Sequence, residues 1–364
     1  MTKKKVLIAT GGTGGHIFPA YSLANYLLKK NYNVEITTDK RGFKYLKDYQ
    51  KIKLIKISSS PLNKKNPISL LISFFLIIFA ILKSLLTLFF NRPSIIFGMG
   101  GYSSFPICIA ASILKIKFII YENNLIIGKA NRYLLPFAKK IFVSYKELEG
   151  ISKKYENKVF EIGNIVREEI LNFSSDNNQI KKFEKIKILV LGGSQGAKIF
   201  GKELPQVFKK IHNSELSIKI YQQSLIEQSD KLLSFYKDAG IDCEIFNFTD
   251  KIIDYYRKVN LVITRSGASV LGELVNVKVP FISIPLPTSA DNHQYKNAEF
   301  YKKKGYGYLL EERDIKTKLY DLISSIFEEK ILLENILSNQ SQYSDKDIFR
   351  ILNKQIEIIL NEKN

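Results

Sequence analysis

"KKVLIATGGTGGHIF", Lys4 to Phe18, and "KIKILVLGGSQGAKIF", Lys185 to Phe200, decide the fold. Each is a short unbroken apolar run that ends in paired glycines, a Thr or Ser, another glycine and a helical pattern. An apolar run of this kind is what a strand buried on both faces of a parallel sheet requires. Glycine permits the tight turn out of the strand, and the helix that follows presents backbone N–H groups at its positive end, where phosphate binds readily. The same plan occurring twice implies two halves of one design.

Working outward, "NVEITTD" (Asn33–Asp39) reads as a second strand and completes a βαβ unit. "SIIFGMGG" (Ser94–Gly101) and "KFIIYEN" (Lys117–Asn123) are further strands, with a helix from Pro106 between them. The polar run "NFSSDNNQIKKFEK" suits a linker. Beyond it, "LVITRSGASVLGEL" and "VPFISIPLP" resume the alternation of strand and helix. The expected fold class is α/β, two Rossmann-like domains facing across a cleft. The expected boundaries are residues 1–165 and 166–345, with a last helix at about 346–362 packing back on the first domain.

The chain has 364 residues, 45% hydrophobic and 25% charged, which are ordinary globular values. Its 55 Lys and Arg against 35 Asp and Glu give +20, a charge that favours anionic partners. The lysines are spread along the chain rather than clustered. Cys108 and Cys243 stand far apart in apolar surroundings, which excludes a disulfide framework or thiolate metal site and fits a reducing compartment. The apolar stretch Val6–Ala9 is too short for a signal peptide.

Glycine turns recur at Gly11–Gly15, Gly98–Gly101, Gly192–Gly196 and Ser266–Gly267. Four such turns at strand ends point to pyrophosphate-bearing ligands. None is followed by the Lys-Ser/Thr of a P-loop, and Ile17 breaks a G-x-G-x-x-G pattern. Asp39 ends the second strand, where a dinucleotide-binding domain grips a ribose, so a nicotinamide enzyme is the alternative on local evidence. Asp345-Lys346-Asp347 has the spacing of a metal-holding pair, but its place before the last helix reads as a cap.

"GGTGGHIFPA", "GMGGYSSFP", "YENNLIIGKANRYL", "GNIVREEI", "LGGSQGA", "TRSGASVLGE" and "DNHQYKNA" follow one another between Gly11 and Ala298. In this order they resemble the motifs of the MurG family, bacterial N-acetylglucosaminyltransferases that complete the lipid-linked disaccharide-pentapeptide of peptidoglycan. The resemblance implies a two-domain GT-B glycosyltransferase with inverting chemistry, no cofactor and no metal. UDP-N-acetylglucosamine would bind mainly the C-terminal half. The acceptor, undecaprenyl-pyrophosphoryl-N-acetylmuramyl-pentapeptide, would reach the N-terminal half from an anionic membrane surface; no nucleic acid partner is implied. Carried over residue by residue, Thr13, Gly14 and Gly15 would approach the donor and His16 the reaction centre, as general base, with Glu122 as its substitute. Asn124, Arg167 and Ser194 would contact the donor, and Thr249 its uracil through the backbone. Ala268, Ser269, Val270, Leu271, Gly272 and Glu273 would enclose uridine, with Glu273 on the ribose hydroxyls and Gln294 on the sugar. Gly100, Gly101 and Tyr102 would lie on the acceptor side. The chain departs from the family at Tyr121, where histidine is usual, and at Ile165, where proline is usual.

"ISLLISFFLIIFAILKSLLTLFF", Ile68 to Phe90, is long enough to span a bilayer. On a helical wheel, Ser69, Ser73, Lys83, Ser84 and Thr87 fall within about 100° of arc. A spanning anchor has no need of such a stripe, and the segment lies between strands of one sheet. The expectation is a helix half packed on the first domain and half offered to the membrane, with Lys64, Lys65, Lys83 and Arg92 meeting anionic head groups. A non-catalytic membrane scaffold is the remaining alternative.

Overall fold

The computed structural model describes residues 3–12, 14–46, 52–57, 66–173, 185–193, 197–214 and 216–362. The chain divides into two compact units, Met1–Arg167 with Asp345–Asn364, and Glu168–Ser344.

In the first unit, β1 (Lys5–Ala9), β2 (Asn33–Thr38), β3 (Lys53–Lys56), β4 (Ile95–Gly98), β5 (Phe118–Glu122), β6 (Lys140–Val143) and β7 (Val159–Glu161) form one sheet. Its order is β3-β2-β1-β4-β5-β6-β7, and every pairing is parallel. The helices α1 (Gly14–Lys29), α2 (Lys40–Leu46), α3 (Pro67–Phe90), α4 (Ser104–Ile113) and α5 (Lys129–Leu134) lie between strands. Val6, Leu7, Ile8 and Ala9 are fully buried because β1 is central and covered on both faces. The chain winds one way from β1 to β2 and the other way from β1 to β4. The crossovers on either side of β1 therefore run in opposite directions along the sheet, which makes the carboxyl ends of β1 and β4 a switch point.

The second unit repeats this with β8 (Ile186–Leu191), β9 (Ile218–Gln223), β10 (Asp242–Phe246), β11 (Leu261–Thr264), β12 (Phe281–Ser283) and β13 (Tyr308–Leu309). The parallel order β10-β9-β8-β11-β12-β13 puts its switch point between β8 and β11. Its helices are α6 (Glu168–Leu171), α7 (Lys198–His212), α8 (Ile226–Asp238), α9 (Ile252–Tyr256), α10 (Ala268–Val277), α11 (His293–Lys303), α12 (Ile315–Glu328) and α13 (Lys330–Ser341). The final helix, α14 (Ile348–Asn361), belongs to the first unit. It buries Ile348, Leu352, Ile356 and Ile359, one helical stripe, and Phe349 stacks on Tyr26 with ring centroids 4.7 Å apart.

Helix α3 is the crossover between β3 and β4 and packs on α4. It opens with a reciprocal capping box, Ser69 N–H donating to Asn66 Oδ1 at 2.7 Å, and with Pro67 in the first turn. Its other end is tied down by Asn91, whose Nδ2 donates to the buried Glu35 carboxylate at 2.6 Å. Only Ser73, Ala80, Ser84 and Leu88 are buried along its length. Ser73 and Ser84 satisfy their hydroxyls on the carbonyls of Ser69 and Ala80, at 2.8 and 2.6 Å. The expected half-packed helix is thus corrected: the small polar residues form a narrow inward seam, and the outward face is apolar around most of the circumference. Lys83 is exposed, and Arg92 donates to the Leu114 carbonyl at 2.9 Å. Lys64 and Lys65 lie outside the described residues.

Candidate active site

The switch point of the first unit brings two glycine turns together. Gly100 sits with φ +82° against the His16 imidazole: a Cβ there would stand 3.0 Å from Cε1 and 3.1 Å from Nδ1. Gly101, at φ +77°, would put a Cβ 2.7 Å from the Gly11 carbonyl oxygen. Both backbones hold the left-handed conformation that favours glycine, and at Gly101 a side chain would also overlap the Gly11 backbone. A Cβ on Gly11 would in turn overlap the Ser103 hydroxyl, which donates to the Thr10 carbonyl at 3.0 Å. Gly14 and Gly15 form the first turn of α1, His16 follows half-buried, and Asn123 Nδ2 donates to the Gly15 carbonyl at 3.4 Å. Tyr102, at the rim, is 44% exposed. The structure therefore groups His16 with Gly100 and Gly101, residues from two separate parts of the sequence. Thr13 lies outside the described residues.

Glu122 ends β5 and is buried. Its Oε1 accepts from Asn124 N–H at 3.1 Å and Asn124 Nδ2 at 2.9 Å; its Oε2 accepts from Gly128 N–H at 2.9 Å and Asn131 Nδ2 at 3.0 Å. A carboxylate holding four donors organises the 123–128 loop and the start of α5. What Glu122 does is fix Asn124. Arg167 closes the unit, half-buried, with its guanidinium 5.7 Å from the centre of the Phe18 ring.

In the second unit β11 runs into Arg265-Ser266-Gly267, and α10 starts at Ala268 with Gly267 as its cap. A helix leaves its first-turn N–H groups without intrahelical acceptors, and this turn carries them at the switch point. Ala268, Leu271 and Gly272 are buried, while Ser269 and Val270 are half-buried. Glu273 lies one turn further, nearly buried, and accepts from the fully buried Tyr256 hydroxyl at 3.1 Å. Tyr256 thereby ties Glu273 to α9, which follows Thr249; the Thr249 hydroxyl accepts from Lys251 N–H at 3.0 Å. Gln294 opens α11 and accepts from Leu286 N–H at 2.9 Å through its side-chain oxygen. Just before it, Asp291 and Asn292 both adopt the left-handed conformation, with φ 51° and 56°. Asn and Asp tolerate that region as single residues, so two in succession are a local cost that fixes the entry to α11. Ser194 lies outside the described residues.

Sequence reasoning missed Arg265. It is 9% exposed, its Nη1 donates to the Ile284 and Pro285 carbonyls at 3.3 and 3.2 Å, its Nη2 pairs with Glu312, and it lies 4.8 Å from the Phe200 ring centre. Arg265 thus clamps the β11 turn to the strand end that leads to Gln294. Its place in "TRSGAS" is the only signal the sequence offered. Asn297 adds a second clamp, donating to the Ser266 carbonyl at 3.1 Å.

Two other readings are corrected. The Asp39 carboxylate accepts from Gly42 N–H at 2.8 Å and pairs with Arg41 at 3.2 Å, so it caps α2 and is committed away from a ribose. Asp345 and Asp347 do not act together and neither caps α14 through its side chain. Asp345 is buried and accepts from Asn164 N–H at 3.1 Å, whereas the exposed Asp347 pairs with Arg350 at 3.0 Å.

Two switch points of the nucleotide-binding type, one with a histidine and one with a carboxylate near a helix start, define a protein of two parallel-sheet α/β domains. The Glycosyltransferase family 28 N-terminal domain matches residues 6–143, and the Glycosyltransferase family 28 C-terminal domain matches residues 187–350. A Pelagibacter ubique protein is 36% identical over 363 residues, covering 99% of both chains; its name is UDP-N-acetylglucosamine–N-acetylmuramyl-(pentapeptide) pyrophosphoryl-undecaprenol N-acetylglucosamine transferase. A Rickettsia bellii protein of the same name is 35% identical and covers 92% of this chain and 94% of its own. The crystal structure of Acinetobacter baumannii MurG shares the fold with a TM-score of 0.77 at 22% identity, over 97% of this chain and 99% of that one. The chain belongs to the MurG family of GT-B glycosyltransferases.

Proposed function

We propose that the protein transfers N-acetylglucosamine from UDP-N-acetylglucosamine to the 4-hydroxyl of a lipid-linked N-acetylmuramyl-pentapeptide, forming a β-1,4 bond. The observation that carries this reading is the full-length match to relatives bearing that activity in their names. In the reaction the acceptor oxygen bonds to the anomeric carbon, the bond from that carbon to the diphosphate breaks, and UDP leaves with the electron pair. His16 takes the hydroxyl proton, since an imidazole accepts protons near neutral pH. The α10 turn receives the uridine diphosphate, Glu273 holds the ribose hydroxyls and Gln294 the sugar. The Gly98–Gly101 turn, beside His16, receives the acceptor's pyrophosphate, with Tyr102 at its rim. Glu122 supports Asn124, and Arg167 steadies the departing charge.

The acceptor is carried by a lipid, and α3 supplies the matching surface. Along it Phe75, Phe79, Leu82 and Leu86 are 54–65% exposed. Tyr133, within α5, and Phe137, just after it, add exposed apolar surface. The reading is a helix lying in the cytoplasmic leaflet's interface, seated by its small-residue seam and facing lipid on the rest.

The test is transfer of labelled N-acetylglucosamine to a purified lipid-linked muramyl-pentapeptide, with UDP-glucose and NADH as comparison ligands in a binding assay. Transfer with preference for UDP-N-acetylglucosamine supports the proposal. Binding of NADH alone, or sugar released only to water, would sink it.

A further inference from the structure

Tyr121 stands at the end of β5 with its ring buried, and the mechanism above gives it no task. A phenol has one proton to donate and two lone pairs to accept with. Here the hydroxyl donates to the Gly163 carbonyl at 3.3 Å, accepts from Ile165 N–H at 2.9 Å and meets Ser144 Oγ at 3.1 Å. Its capacity is filled, and two of the three partners are backbone groups of one segment. The residue between them is held from the other side: Asn164 N–H and Nδ2 donate to the Asp345 carboxylate at 3.1 and 3.4 Å, and Nδ2 also reaches the Tyr145 hydroxyl at 2.9 Å. Gly163, at φ +95°, passes so close to Asp345 that a Cβ would overlap its carboxylate. Segment 163–165 is thus clamped on both sides, and Arg167 emerges two residues later beside Phe18.

We propose that Tyr121 is a positioning residue for Arg167: through the Gly163 and Ile165 backbone it fixes where the guanidinium leaves the buried segment. The inference rests on the proposed role of Arg167 at the donor. The Ile165 N–H is a buried donor that needs an acceptor, and the Tyr121 hydroxyl supplies it; a proline at 165 would carry no such N–H.

The test is a double-mutant cycle on steady-state kinetics, with donor and acceptor varied separately. Tyr121→Phe keeps the ring and removes the oxygen; the donor KM is expected to rise about tenfold while the acceptor KM holds. In an Arg167→Ala background the same substitution is expected to change the donor KM less than twofold. Ile165→Pro, which removes the N–H together with the isoleucine side chain and fixes φ, serves as a second variant should Tyr121→Phe fold poorly, and its effect on the donor KM is expected to vanish in the same background. Additive effects of Tyr121→Phe and Arg167→Ala, or equal shifts in both KM values, would overturn the inference. If Arg167→Ala alone leaves the donor KM unchanged, the fault lies instead with the donor role of Arg167.

Discussion

Replacing Phe75, Phe79, Leu82 and Leu86 together by serine tests how α3 meets a membrane. The four residues recur at i, i+4, i+7 and i+11, opposite the buried seam of Ser73, Ala80, Ser84 and Leu88. Burying a whole Phe or Leu side chain stabilises by about 1.5–3 kcal/mol. With 54–65% of each side chain uncovered, each has about 1–2 kcal/mol still to gain from lipid, and the four together about 4–7 kcal/mol. At 1.4 kcal/mol per tenfold, vesicle affinity is expected to fall by roughly three to five orders of magnitude. The assay is flotation with vesicles of mixed anionic and zwitterionic lipid, beside helix content and thermal unfolding in solution. High salt is expected to release little of the wild type, because apolar burial is not screened and Lys83 is the one Lys or Arg on the helix. Turnover of a soluble short-chain acceptor is expected to survive. A folded quadruple variant that floats like the wild type would refute the reasoning.

His16→Ala is expected to lower turnover by about 10²–10⁴, with donor affinity changed far less, as measured by single-turnover transfer and calorimetry. Glu273→Ala is expected to weaken donor binding by roughly tenfold to a hundredfold, since it removes hydrogen bonds to a charged acceptor; an unchanged calorimetric affinity would remove Glu273 from the site. Glu35→Gln probes the tether of α3 by pH. Burial alone raises the Glu35 carboxyl, but bonds from Lys5, Lys53 and Asn91 hold it below its ordinary value. A depressed native pKa gives stability that is present above the unfolded value of about 4.3 and is lost as pH falls through the native value. The variant is therefore expected to melt earlier than the wild type at neutral pH, with the gap closing on acidification below about pH 4; a gap independent of pH would contradict the tether.

The strands were legible because burial on both faces leaves no polar position to blur the run Val6–Ala9. The glycine turns were legible for the same reason that they matter: Gly100 and Gly101 sit where no side chain fits. What the sequence hid are partnerships between distant residues. Asp345 reads locally as a cap, yet its partner Asn164 is 181 positions away. Glu122 shows no partners in the sequence, yet Gly128 and Asn131, six and nine positions on, fold back to donate to it. The polar arc of α3 was visible on a wheel, but the wheel cannot show that Ser73 and Ser84 spend their hydroxyls on their own helix and turn inward. Arg265 looks like one more cation until the carbonyls after β12 close around it.

The length of α3 connects its lipid-facing surface to the proposed acceptor turn. Its 24 residues span about 36 Å, whereas the 4 residues of β4 span about 13 Å. A crossover helix runs back antiparallel to the strands it joins, so its C-terminal end lies at the sheet edge where β4 begins. That end is pinned there, by Asn91 on Glu35 and by Ser94 N–H on the Lys5 carbonyl at 2.8 Å. The helix is thus far longer than the strand it leads into, and its N-terminal turns lie toward the opposite end of the sheet, the end that bears Gly100, Gly101 and Tyr102. On the proposed function this is the arrangement a lipid-linked acceptor needs. On that reading the first three turns of α3, with Leu71, Phe74 and Phe75 more than half exposed, would bring the bilayer to the end of the sheet where the acceptor's pyrophosphate would be received beside His16.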